Sequence, residues 1–166
     1  MLQPLVRRTW APRGQTPILY SWDRRDRLSA ISALSVSPKR RHLGLYFDLQ
    51  SDNICTDDFE FFVADLLRHL PGGIILVMDR WSVHRSGAKS LHKRFARRLD
   101  VEWLPAYAPD LNPVEQVWNR CKYTDLANHI PEDIEILGER VFQSIKHMHS
   151  QQSLLRSFFK CAKLKI

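Results

Sequence analysis

The chain has 166 residues, 44% hydrophobic and 26% charged, with a formal net charge of +7. That length supports one core, and five Trp, eight Phe and four Tyr exclude a disordered polymer. The longest apolar run, residues 74–78, is far too short to span a membrane, and no apolar h-region that would read as a secretory signal follows the N-terminus.

In chain order, residues 11–17 carry turn chemistry (Ala-Pro-Arg-Gly-Gln-Thr-Pro) between short extended pieces. Residues 30–36 alternate small polar and apolar side chains, and 43–47 form a second extended run after the turn at Pro38, Lys39, Arg40 and Arg41. Together they predict an antiparallel hairpin. Thr56 is the expected N-cap of a helix, with Asp57 and Asp58 in its first turn, where they complement the helix dipole. Phe59, Phe62, Val63, Leu66, Leu67 and Leu70 recur at helical spacing until Pro71, Gly72 and Gly73 end the helix. Residues 74–78 form a continuous apolar run that reads as a strand buried between helices on both sides.

Residues 84–99 read as a helix, with Ala88, Leu91 and Phe95 facing inward. On its outer face Arg85, Lys89, Lys93 and Arg97 form a basic stripe at i, i+4 spacing. Residues 101–104 are another short strand, stopped by Pro105. A loop with three prolines then opens a helix near Val114 that runs through Trp118. Pro131 marks the start of a long amphipathic helix carrying Ile134, Leu137, Val141, Ile145 and Met148, and a last helix uses Leu154, Leu155, Phe158 and Ala162. This order predicts an α/β layer architecture in a single domain over residues 1–166.

Three cysteines lie far apart with no Cys-x-x-Cys pair, which fits a reducing, cytoplasmic setting without a disulfide framework. The charge is distributed in alternating blocks. Residues 1–42 carry +7, 43–78 carry −5, 80–98 carry +7, 99–139 carry −7 and 140–166 carry +6. Such blocks place basic faces beside an acidic centre, a pattern that suits a polyanion partner as well as an ordinary solvated surface.

The chemistry concentrates in two carboxylates. Asp79 stands at the C-terminal end of the apolar strand, where ligand-binding groups collect in α/β sheets. Glu115 stands in the first turn of the helix after the proline-rich loop. A strand-end and a helix-start carboxylate on adjacent elements can converge on one divalent cation such as Mg²⁺, which takes oxygen ligands. Taken singly, each residue also reads as a turn or dipole-compensating group. His147 and His149 are two apart on a predicted helix and point away from each other, which argues against a zinc pair.

The stretch Leu104-Pro-Ala-Tyr-Ala-Pro-Asp-Leu-Asn-Pro-Val-Glu115 closely resembles the third-carboxylate motif of mariner-superfamily transposases, in their bacterial insertion-sequence branch. Asp79 lies 36 positions before Glu115, the spacing of this class, and residues 78–84 (Met-Asp-Arg-Trp-Ser-Val-His) resemble the second-aspartate motif. Arg80 replaces the Asn usual there. Residues 8–17 resemble the segment that follows the first catalytic strand.

The resemblance implies a ribonuclease-H-like fold, a mixed sheet with helices on both faces, and a three-carboxylate, two-metal site for Mg²⁺, with Mn²⁺ as substitute. Asp79 and Glu115 would be metal ligands, and Asp110 and Asn112 would shape the loop around Glu115 or serve as turn residues only. His84, Arg85, Lys89, Lys93 and Arg97 are the candidate DNA contacts; a helix-start structural role for His84 is equally open.

The implied function is DNA transposition, by cleavage and strand transfer on transposon ends and target, by a homodimer on DNA. The first carboxylate is expected shortly before the segment that opens this sequence. The chain therefore reads as lacking the first catalytic strand and the upstream helix-turn-helix region. Asp23, Asp26 and Asp48 are not promoted to replace it. The competing reading is an inactive transposase remnant that at most binds DNA nonspecifically. A third, a stand-alone ribonuclease-H-like nuclease, is disfavoured by the long proline-rich loop.

Overall fold

The computed structural model describes residues 10–15, 18, 28–129 and 131–166. Strands β1 (Ser29–Val36) and β2 (Leu43–Gln50) form the expected antiparallel hairpin, with Ala30 opposite Leu49 and Val36 opposite Leu43. Period-two alternation sorts its faces. Ala30, Leu34, Val36, Leu43, Leu45, Phe47 and Leu49 pack into the larger core, whereas Ile31 points the other way into a second cluster. The connecting turn is closed by the Ser37 hydroxyl, which accepts from the amides of Arg41 and His42 at 3.2 and 3.0 Å.

The cap of helix α1 (Thr56–His69) lies one residue earlier than expected. Cys55, not Thr56, is the N-cap, because the Asp58 carboxylate reaches back to accept the Cys55 amide at 2.7 Å. The helix buries Phe59, Val63, Ala64, Leu66 and Leu67.

Strand β3 (Ile74–Met78), helix α2 (Ser82–Phe95) and strand β4 (Leu99–Trp103) form a parallel β-α-β unit, with Ile74 opposite Leu99 and Met78 opposite Trp103. Ile74, Leu76, Met78, Val101 and Trp103 pack against Phe59, Val63 and Leu67 of α1 and Ala88 and Leu91 of α2. This corrects the expectation that β3 is covered on both sides. Both helices pack on the same face, leaving Ile75 and Val77 at 68% and 56% exposure. The residues opposite them, Asp100 and Glu102, are likewise exposed. Helix α2 is also shorter than expected. It stops at Phe95, whose carbonyl accepts the Arg98 amide at 2.8 Å, and Leu99 already belongs to β4. Among the described residues the four strands pair as two separate two-stranded sheets.

Helix α3 (Val114–Arg120) runs into a single π-helical turn, Cys121–Asp125. Helix α4 (Ile134–His149) is capped by Asp133, whose carboxylate accepts the Ile136 amide at 2.7 Å; Pro131 lies before the helix rather than in its first turn. Helix α5 (Gln152–Cys161) follows after a short break. Val117, Cys121, Leu126, Leu137, Val141, Ile145, Met148, Leu155 and Phe158 form the larger core with the hairpin. The Gln152 side chain bonds both backbone groups of Leu43, at 2.9 and 2.8 Å, and so pins α5 to the start of β2. No helix among the described residues is long and apolar enough to cross a membrane.

Candidate active site

Parallel pairing makes β3 and β4 end side by side. The ladder continues one step past the strands, where the Leu104 amide donates to the Met78 carbonyl at 2.9 Å. Asp79, leaving β3, therefore stands next to the start of the proline-rich loop, leaving β4. That loop is stiffened by Pro105, Pro109 and Pro113. It passes through a 3₁₀ turn, Pro109–Leu111, and delivers Asn112 and then Glu115. Asn112 organises the entry to α3: its amide donates to Pro109 (2.9 Å), its carbonyl accepts from Glu115 (3.1 Å) and its side-chain oxygen accepts from Val114 (3.2 Å).

The result is a cavity of about 520 Å³ lined by both carboxylates, Asp79 and Glu115, together with Arg80, Trp81, Tyr107 and Asn112. Asp79 is half exposed, and its Oδ1 accepts two hydrogen bonds, from the Trp81 amide at 2.9 Å and from His84 Nδ1 at 2.8 Å. Arg80 adds a guanidinium to the lining at the position where the resembling motif carries Asn. Tyr107 is fully exposed with a φ of 57°, a left-handed conformation that a bulky side chain rarely adopts. A larger cavity of about 670 Å³ lies between β2, α1 and α4 and holds Asp48 and Asp65, but neither of the paired carboxylates.

The other residues singled out from sequence fall as follows. Asp110 is exposed in the 3₁₀ turn and does not line the carboxylate cavity, whereas Asn112 does. Arg85, Lys89 and Lys93 are exposed on α2, and Arg97 is exposed in the turn beyond its end. None of these four forms an ion pair among the described residues. His84 is not on that outer face. Its side chain is only 17% exposed, turned back onto Asp79. Asp48 lies within β2, bonded to the Leu49 amide, and lines the larger cavity rather than the one that holds Asp79. Asp23, Asp26 and much of the 8–17 segment lie outside the described residues; within that segment the Gln15 amide closes a turn on Pro12 at 3.0 Å. Sequence reasoning missed Trp81 and Tyr107 as lining residues, although both stand inside the two motifs it used.

Asp79 and Glu115 offer hard oxygen donors in one open cavity, a set that fits Mg²⁺ or Mn²⁺. No cluster of three or more His, Cys, Asp or Glu able to hold a metal occurs among the described residues. A cation there would take its remaining ligands from water and substrate phosphate, as Mg²⁺ commonly does.

A sequence profile of DDE superfamily endonucleases matches residues 1–137. No curated protein matches significantly. The crystal structure of the Mos1 strand transfer complex contains a chain that aligns with 98% of this one at 16% identity and a TM-score of 0.55. This chain spans 50% of that one, about half its length. The likeness shows the fold, the ribonuclease-H-like α/β architecture expected of a mariner-type DDE transposase. With the profile covering residues 1–137 of 166, the chain belongs to the DDE superfamily endonucleases.

Proposed function

We propose that this chain is the catalytic part of a mariner-type transposase of the insertion-sequence branch, cutting and joining transposon ends and target DNA as a homodimer in the cytoplasm. The observation that carries this reading is the convergence of Asp79 and Glu115 on one cavity at the paired ends of β3 and β4. Those two carboxylates would hold a divalent cation, Mg²⁺ or Mn²⁺. When bound, the cation supplies charge neutralisation at the phosphate and lowers the pKa of an attacking water or 3′-hydroxyl.

The chain's own residues position the reactants. Arg80 at the cavity places a fixed positive charge for a phosphate oxygen. Arg85, Lys89 and Lys93 extend a basic surface along α2 on which a duplex backbone can lie. Asn112 and Asp110 shape the loop that presents Glu115. Positioning and electrostatics carry phosphoryl transfer, and neither requires a nucleophilic side chain.

A second reading, a DNA-binding remnant without cleavage, is favoured by the presence of only two carboxylates at the cavity among the described residues. Incubating the chain with supercoiled plasmid and Mg²⁺ or Mn²⁺ separates the two. Nicking that disappears in Asp79→Ala and Glu115→Ala supports the transposase reading. Salt-dependent binding without nicking, with a salt slope reduced by about one in Lys89→Ala, supports the remnant. Absence of both binding and nicking refutes the pair.

A further inference from the structure

We infer that His84 is a positioning residue for Asp79, fixing which carboxylate oxygen faces the cavity; this rests on the reading of Asp79 as a metal ligand. His84 follows Asp79 by five residues, in the first turn of α2, and its Nδ1 lies 2.8 Å from Asp79 Oδ1. The Trp81 amide donates to the same oxygen at 2.9 Å. Oδ1 is thus occupied by two fixed donors, and no further hydrogen bond to Asp79 forms among the described residues, so Oδ2 remains for a ligand.

The imidazole is itself immobilised. The Phe59 ring of α1 packs on it at 4.8 Å between centroids, and the Trp81 ring meets it nearly perpendicular, at 5.3 Å and 84°. His84 is shielded at 17% side-chain exposure, whereas the carboxylate it holds is 51% exposed. Asp79 and Trp81 line the cavity and His84 does not, so its effect on a bound cation passes through Asp79. A half-exposed carboxylate on a strand end would otherwise sample several rotamers, and the histidine removes that freedom before any ligand arrives. Neutral imidazole can bond a carboxylate through Nδ1 only when Nδ1 carries the proton, which leaves Nε2 as the acceptor.

The experiment is Mn²⁺ titration of the 166-residue chain, by calorimetry or by loss of the free-ion paramagnetic resonance signal. Alongside it, ¹⁵N spectra of His84 report its tautomer. His84→Phe keeps a ring between Phe59 and Trp81 but has no donor. Mn²⁺ affinity should fall by about 10- to 100-fold, the usual effect of removing a ligand's hydrogen-bond partner. His84→Asn places its amide nitrogen where Nδ1 stands and should retain most of the affinity. His84→Gln puts the amide one bond further out, so it should lose affinity as His84→Phe does; it replaces that variant should the phenylalanine protein not fold. Asp79→Ala should abolish binding.

Wild-type affinity in both His84→Phe and His84→Gln, with binding lost in Asp79→Ala, overturns the positioning role and leaves the metal site standing. Equal losses in His84→Asn and His84→Phe overturn it in favour of a packing role. An Nδ1 that carries no proton in the wild-type spectrum also overturns it. Binding that survives Asp79→Ala, or no binding by the wild-type chain, rejects the metal site itself and the inference with it.

Discussion

Helices α1 and α2 approach each other through Gly87, and that contact can be tested by adding one methyl group. A Cβ built at Gly87 would stand 2.5 Å from Phe59 Cδ1 and 3.0 Å from Cε1. Ordinary contact begins at 3.4 Å, so the Phe59 ring or the helix would have to retreat by about 0.9 Å, the difference between 3.4 and 2.5. Phe59 is 4% exposed and lies in the cluster beneath β3, so the ring has little free volume to move into. Overpacking of this kind costs about 1–3 kcal/mol, while Gly→Ala in a helix interior returns about 1 kcal/mol of backbone propensity. Gly87→Ala should therefore be neutral to destabilising by about 2 kcal/mol. Gly138, in α4, has nothing within 4 Å of its would-be Cβ, so Gly138→Ala should stabilise by about 1 kcal/mol. Urea unfolding of both variants measures the contact directly, because the propensity gain cancels and the difference, about 1–3 kcal/mol, is the overpacking alone. Equal stabilisation of the two proteins would refute the close approach of α1 and α2.

Three further outcomes follow from single groups. The Asp58 carboxylate accepts from the Cys55 amide and from Gln50, which hold it below its usual pKa. Its contribution to stability is complete above the ordinary carboxylate value. It is lost as pH falls through the lowered folded value, so the stability gap between wild type and Asp58→Asn should close on acidification from about pH 5. Burial pushes the Cys121 thiol up to about 11, whereas Cys55 and Cys161 are exposed. A thiol reagent at neutral pH should label two cysteines in the folded chain and the third only on unfolding. Asp133→Ala removes the cap of α4 and should cost about 1 kcal/mol, read as a drop of roughly 2–4 °C in Tm.

What the sequence revealed and what it hid divide along physical lines. Periodicity located the hairpin, the helices and both parallel strands, because the spacing of apolar residues reports directly on which face is buried. The same signal misjudged β3. A continuous apolar run does not distinguish a strand covered on two faces from one covered on a single face, and Ile75 and Val77 are in fact open. Boundaries shifted where a side chain rather than propensity set them. Asp58 moved the cap to Cys55, and Asp133 rather than Pro131 begins α4. At the site, the motifs named Asp79 and Glu115, and the parallel pairing explains how residues 36 positions apart share a cavity. The hydrogen bond from His84 was not legible. A histidine in the first turn of a helix can face solvent, DNA or the preceding strand end, and it is tertiary packing, with Phe59 from α1 and Trp81 against the ring, that accompanies the last.

The separation of Asp79 and Glu115 is a length constraint set by geometry. From Asp79 the chain climbs α2, fourteen residues or roughly 21 Å at 1.5 Å per residue, and returns along β4 over five residues, roughly 17 Å. The excursion nearly closes, which brings Leu104 back beside Met78. From there the placement of Glu115 depends on the loop alone, and Asn112 fixes its final turn through the bond from Val114 and the carbonyl that receives the Glu115 amide. Asn112→Ala removes only the first of these, leaving the backbone bond and the three prolines. It should cost about 0.5–2 kcal/mol of stability, as loss of a helix-end side-chain acceptor does, and weaken Mn²⁺ binding less than Glu115→Ala. Asn112→Asp retains the acceptor and should restore both. Calorimetric Mn²⁺ titration of the three variants decides the point. Affinity in Asn112→Ala as low as in Glu115→Ala would refute the argument that the backbone bond and the three prolines hold Glu115 in place without the asparagine side chain.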